Sequence, residues 1–181
     1  ETMGCQMNKL DSELVLDALR AAGHCVVDSP EQAEAVLLNT CSVRRRAEEK
    51  AYSRLGEQLK RKRNGDRLVV GVLGCMAQRQ GQALLERFPD LDIVCGPSEI
   101  DRLVNLLAEA QGGSRRLAVA PPRAERSRDR DESDNRRLEA FDLSRENGSG
   151  SAQAFVRVQR GCDKFCTYCI VPFVRGSEQS R

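Results

Sequence analysis

Two spacings of apolar residues alternate along the first 110 positions. Leu14, Val15, Ala18, Leu19 and Ala22 recur three or four apart and so share one face of a helix. Asp11 or Ser12 is placed to cap that helix, Glu13 sits in its first turn and Gly23 stops it. Residues 35–39, Ala-Val-Leu-Leu-Asn, form a short unbroken apolar run of the kind buried on both faces of a parallel sheet. A long helix is predicted over 43–63, where Ala47, Ala51, Leu55 and Leu59 fall at four-residue intervals before the Asn64-Gly65 terminator. The alternation repeats: strand 68–73, helix 82–87, short strand 92–94 and a closing helix 99–110. Residues 1–6 are expected to be the end of a strand that starts upstream. The series predicts an α/β fold: a parallel sheet with helices on both sides.

Beyond residue 111 the pattern dissolves. Gly-Gly, Pro-Pro, dense charge and Gly148-Ser149-Gly150-Ser151 bury too little apolar area to order a chain. Most of 112–151 is therefore expected to be a polar linker. A new strand is expected over 154–158, at the head of a second domain. The predicted organisation is an N-terminal βαβ domain over 1–111, the linker over 112–151 and the truncated start of another domain over 152–181.

A chain of 181 residues has room for one full domain and part of another. No stretch approaches the roughly 20 apolar residues of a membrane span, so a cytoplasmic setting without membrane contact is expected. Net charge is only +2, but basic residues gather at 44–46, 60–63 and 115–137. Such blocks can face phosphate, although exposed helix faces and linkers carry them more often. Block 44–46 lies at the start of the long helix, where positive charge opposes the dipole by a few tenths to about 1 kcal/mol each. A neighbouring anionic centre or nucleic-acid phosphate would offset it, and ordinary solvation is the third reading.

Eight cysteines in a chain of alternating strands and helices point to ligands in a reducing compartment, not to a disulfide scaffold. Cys162, Cys166 and Cys169 fall within eight residues, just after a strand, so one loop can aim all three at a point. A closed zinc site needs four ligands, and the only histidine, His24, is remote in sequence. A four-iron cluster held by three thiolates fits better, with a zinc knuckle as the alternative. Cys5, Cys41 and Cys75 are far apart in sequence, yet each follows a predicted strand. The carboxyl ends of parallel strands open onto one edge, so these three can share a second cluster. Cys95 also ends a strand and is a possible fourth ligand. The bland reading, a small residue suited to buried strand ends, is the expectation for Cys25 and Cys95.

Four segments together carry a resemblance: Gly4-Cys5-Gln6-Met7-Asn8, Asn39-Thr40-Cys41-Ser42-Val43-Arg44, Gly74-Cys75-Met76-Ala77-Gln78, and the run from Gly161 through Cys169 to Arg181. In that order they resemble the methylthiotransferases of the radical S-adenosylmethionine superfamily, in particular the MiaB type. The resemblance implies a partial (β/α) barrel as the second domain, Cys5, Cys41 and Cys75 as ligands of an auxiliary [4Fe-4S] cluster, and Cys162, Cys166 and Cys169 as ligands of the radical cluster. It implies S-adenosylmethionine as cofactor, with Tyr168 packing near its adenine; anchoring the loop is the plainer role for Tyr168. Partners implied are tRNA and a reducing electron donor such as flavodoxin or ferredoxin.

The activity implied is transfer of a methylthio group to carbon 2 of isopentenyl-modified adenosine in tRNA, next to the anticodon. Relatives act on threonylcarbamoyl-adenosine or on an aspartate of a ribosomal protein; a non-enzymatic metal- or RNA-binding module is the alternative outside the family. With most of the barrel and an RNA-binding domain lying outside these 181 residues, the chain alone is expected not to turn over.

Overall fold

The computed structural model describes residues 1–122, 125, 128–143 and 155–180, with side chains described from 132 onward in the helix that begins at 128. Five parallel strands form the main sheet in chain order: β1 (Thr2–Met3), β2 (Ala35–Thr40), β3 (Val69–Gly74), β4 (Ile93–Cys95) and β5 (Arg116–Ala118). Between them lie α1 (Gln6–Ala21), α2 (Arg45–Arg63), the short α3 (Cys75–Gln80) and α4 (Gln82–Arg87), and α5 (Leu103–Gln111).

Strand pleating sorts the core into two layers. Val36, Leu38, Val70, Val72 and Val94 face α2, α3 and α4, meeting Ala51, Leu55, Leu59, Met76 and Leu84. Val69, Leu73, Ile93 and Cys95 face the other way, onto Val15 and Leu19 of α1 and Leu103, Leu106 and Leu107 of α5. The sheet is thus covered on both faces, which is why its strands read as unbroken apolar runs.

Three expectations are corrected. Helix α1 begins at Gln6, so Asp11 is not its cap but a buried residue in its interior. The span 112–151 contains β5, paired with β4, and α6 (Arg128–Leu143), whose Leu138 is buried against the α5 layer. Periodicity gives no warning of α6, whose described anchors are few: Leu138 with Phe141 beside it, the Arg137–Asp101 pair at 2.9 Å and the Asp142–Arg157 pair at 3.2 Å. The strand expected at 154–158 is instead β6 (Gln159–Arg160), antiparallel to β7 (Gln179–Ser180), while residue 154 and the Gly-Ser run fall outside the described residues. Between β6 and β7 come the cysteine loop and a one-turn helix, α7 (Val171–Val174), packed on α3.

Several residues of the basic blocks are structural. Lys62 meets Asp92 at 2.5 Å, Arg63 meets Asp90 at 3.1 Å, and Arg115 donates to the carbonyls of Leu91 and Phe88. Arg44, Arg45 and Arg46 are exposed, with Arg45 paired to Glu49 one turn on. Among the described residues no helix is long and apolar enough to cross a membrane.

Candidate metal centre

Parallel register brings the first three cysteines to one sheet edge. Met3 lies beside Thr40, and Thr40 beside Gly74. The next residues outward are Gly4, Cys41 and Cys75, with Cys5 one position further. Adjacent strands stand about 4.8 Å apart, and a Cβ added to Gly4 would come within 3.0 Å of the Cys41 Cβ. Cys5 is the N-cap residue of α1 and Cys75 the first residue of α3.

A buried amide clasp ties these loops together. Asn8 Nδ2 donates to Asn39 Oδ1 at 2.9 Å and to the Thr40 carbonyl at 3.1 Å, while Asn39 Nδ2 donates back to the Asn8 carbonyl at 2.9 Å. Asn8 Oδ1 accepts the Cys5 backbone N–H at 3.3 Å, and Thr40 Oγ1 donates to the Leu73 carbonyl at 2.7 Å. Gly74, at φ +89°, passes so close to the clasp that a Cβ would fall 2.5 Å from both Asn39 Oδ1 and the Thr40 carbonyl. Only glycine fits there.

Cys41 and Cys75 are buried, and Cys5 is exposed. Burial pushes the Cys75 thiol up, and the Arg175 guanidinium, whose Nε donates to Cys75 Sγ at 3.3 Å, works in the opposite direction. Arg175 is itself enclosed. Burial disfavours its charge, but Asp11 and Cys75 together hold it above its ordinary value. Its Nη1 pairs with Asp11 Oδ2 at 2.7 Å, and Asp11 Oδ1 takes Arg157 Nη2 at 2.5 Å. Arg157 also meets Asp142 at 3.2 Å, and Asp142 meets Arg160 at 3.0 Å. One buried ion network therefore joins α1, α6 and the segments on both sides of the second cysteine group.

That group lies on the loop between β6 and α7. Gly161, at φ +69°, enters it where a Cβ would overlap the Ser177 carbonyl, so a side chain is excluded. The Cys162 N–H donates to the Gly176 carbonyl at 3.2 Å and the Cys169 N–H to the Cys166 carbonyl at 2.9 Å, which folds the loop back on itself. Cys166 is exposed, and Cys162 and Cys169 are partly so. Phe165, at φ +47°, meets the edge of Phe173 at 6.2 Å. Tyr168 is 92% exposed, so it does not anchor the loop to the described residues.

Among the described residues no three His, Cys, Asp or Glu side chains stand in the tight array that holds a single metal ion. A cluster offers a separate iron to each thiolate, so its ligands stand farther apart than those around one zinc at about 2.3 Å. The donor chemistry of Cys5, Cys41 and Cys75 is all sulfur, beside a buried guanidinium whose Nη2 finds no acceptor among the described residues. Cys95 does not join them. Burial pushes its thiol far up, and its Sγ faces the Gly96 carbonyl at 3.6 Å. Cys25, expected to be buried, is exposed in the loop after α1.

Sequence reasoning passes over Asn8, Asn39, Asp11, Arg157 and Arg175 as site residues. A signal exists for two of them. Asp11 shares the apolar face of Leu14, Val15 and Ala18, and Arg175 follows the apolar Val-Pro-Phe-Val turn; a charge so placed needs a buried partner.

Residues 1–96 match the family described as "Uncharacterized protein family UPF0004", a stretch that holds Cys5, Cys41 and Cys75. The chain is 45% identical over 183 aligned residues to a tRNA-2-methylthio-N(6)-dimethylallyladenosine synthase of Syntrophotalea carbinolica. That alignment takes in 100% of this chain and 39% of the relative, so the chain spans about two fifths of the relative's length.

Proposed function

Since the chain belongs to the UPF0004 family, and within it to the MiaB-type methylthiotransferases, we propose that the protein carrying it adds a methylthio group to carbon 2 of isopentenyl-modified adenosine in tRNA. The observation that carries this reading is the convergence of Cys5, Cys41 and Cys75 on one sheet edge, with Arg175 reaching Cys75 from just beyond the second trio. A non-enzymatic zinc module has no use for two separate three-thiol sets.

Cys5, Cys41 and Cys75 would hold one [4Fe-4S] cluster, and Cys162, Cys166 and Cys169 another. With S-adenosylmethionine bound, these groups would supply methyl transfer to sulfur at the first and radical hydrogen abstraction at the second. The chain's own residues prepare both places. Three thiolates in each trio leave one coordination position for a small molecule, which a fourth cysteine would fill. The protonated, buried Cys95 leaves that position alone. The Asn8–Asn39 clasp fixes the loops that carry Cys5 and Cys41, and Gly74 lets the Cys75 loop approach them. Exposed Tyr168, one residue before Cys169, offers a flat face on which an adenine can stack. Residues 1–111, with β5 completing their sheet, would form the domain of the first cluster and residues 152–181 would begin that of the second. A low-potential donor such as flavodoxin or ferredoxin would supply electrons, and the setting is the cytoplasm.

The test is mass spectrometry of nuclease-digested tRNA after incubation with the cluster-loaded, full-length protein, S-adenosylmethionine and reductant. The proposal expects a methylthio group on isopentenyl-adenosine. Cleavage of S-adenosylmethionine with that nucleoside unchanged, and threonylcarbamoyl-adenosine or a ribosomal aspartate modified instead, would overturn the substrate assignment.

A further inference from the structure

Among the described residues the buried ion network is short of one negative charge. Arg157, Arg160 and Arg175 bring three guanidiniums, and Asp11 and Asp142 bring two carboxylates. Burial and the neighbouring Arg157 push Arg160 down to about 10, which leaves it cationic at neutral pH. At the Cys75 end of the network the Arg175 side chain is 4% exposed and donates Nε to Cys75 Sγ. In a guanidinium the Nε–H and one Nη2–H leave the same edge of the plane in parallel, which is why arginine grips acceptors with two prongs. One prong of Arg175 is on the Cys75 sulfur. The other, Nη2, is buried and has no acceptor among the described residues. A buried donor left in that state is costly, the more so when charged. An anionic acceptor beside Cys75 would remove that penalty and balance the network.

We infer that Arg175 is a positioning residue of the first metal centre, its fork spanning the Cys75 thiolate and a second sulfur of the inorganic group that Cys5, Cys41 and Cys75 hold. This rests on the reading of that trio as cluster ligands. Asp11 holds the guanidinium through an ion pair at Nη1, and α7 holds Arg175 against α3, the helix that Cys75 begins. Donors and positive charge at a cluster stabilise its reduced, more negative form, so the guanidinium raises the reduction potential.

The experiment uses the full chain, reconstituted anaerobically, in a Cys162/Cys166/Cys169→Ala parent that carries the first trio alone. Arg175→Gln and Arg175→Lys are added to it, and iron per chain, the electron paramagnetic resonance spectrum of the reduced form and the midpoint potential are read. Arg175→Gln is expected to shift the midpoint to more negative potential and to alter the spectrum at unchanged iron. Arg175→Lys restores part of the shift, since it keeps the charge without the two-pronged geometry. Loss of iron from Arg175→Gln, with far-ultraviolet circular dichroism unchanged and iron kept by Arg175→Lys, also supports the inference. Equal iron with superimposable potentials and spectra in all three proteins overturns it, and if Arg175→Gln fails to fold, Arg175→Lys matching the parent in both readouts does the same. A parent without iron sinks the reading of the trio itself, and this inference with it.

Discussion

Replacing Asp11 by Asn keeps the shape of the side chain but removes the carboxylate that Arg157 and Arg175 share at 2.5 and 2.7 Å. Asp11 is 1% exposed and both arginines are nearly enclosed, so water cannot take its place. Breaking a buried pair by deleting one partner costs about 3–5 kcal/mol, because a charge is left uncompensated. Arg157 still has Asp142 at 3.2 Å, whereas Arg175 keeps only the Cys75 sulfur. The expected loss is therefore near the low end, about 3 kcal/mol, a large share of the roughly 5–15 kcal/mol that holds a domain folded. With an m-value of about 2 kcal/mol/M, the urea midpoint followed by circular dichroism falls by about 1.5 M. A double-mutant cycle with Arg175→Met assigns the loss, since the second change should cost much less once Asp11→Asn is in place. A fall equivalent to less than about 0.5 kcal/mol, the worth of an exposed pair, would refute the claim that the network is buried and strongly coupled.

Asn8→Ala strands the buried Asn39 Oδ1 and frees the Cys5 loop; unfolding experiments should register a loss of about 2 kcal/mol, within the usual range for an orphaned group, together with reduced iron uptake. Gly161→Ala forces a Cβ against the Ser177 carbonyl, so colorimetric iron analysis should find the share of the second trio gone and that of the first retained. Cys95→Ala removes a buried thiol that serves only the core; iron should stay at the wild-type level while stability drops by roughly 1–2 kcal/mol from the small cavity. Iron lost from that variant would restore Cys95 as a ligand.

Much of the α/β part is legible from periodicity. The buried positions Ala51, Leu55 and Leu59 of α2 and the run 35–39 sit where their spacing predicts, because both faces of the sheet are covered and local pattern and tertiary burial agree. Cysteine placement after successive strands also foretells that Cys5, Cys41 and Cys75 share an edge. Pattern fails where one contact decides. Helix α6 is polar almost throughout and is held by Leu138 and Arg137, and β5 has three residues, with Leu117 exposed between Arg116 and Ala118. The Asn8–Asn39 clasp joins residues 31 positions apart and the Asp11–Arg175 pair spans most of the chain, separations that no local window senses. Asp11 reads as a cap because aspartate suits that role on its own; what overrides it is the arginine pair arriving from the far end of the chain.

The central claim is that two independent trios each hold an iron–sulfur cluster. Iron and acid-labile sulfide, measured after anaerobic reconstitution in the full chain and in the Cys5/Cys41/Cys75→Ala and Cys162/Cys166/Cys169→Ala variants, test it most directly. Each variant should keep about half the iron and half the sulfide of the parent, as one of two clusters requires. Zinc at about one per chain with no sulfide, or all the iron lost from either variant while it stays folded, would contradict the account.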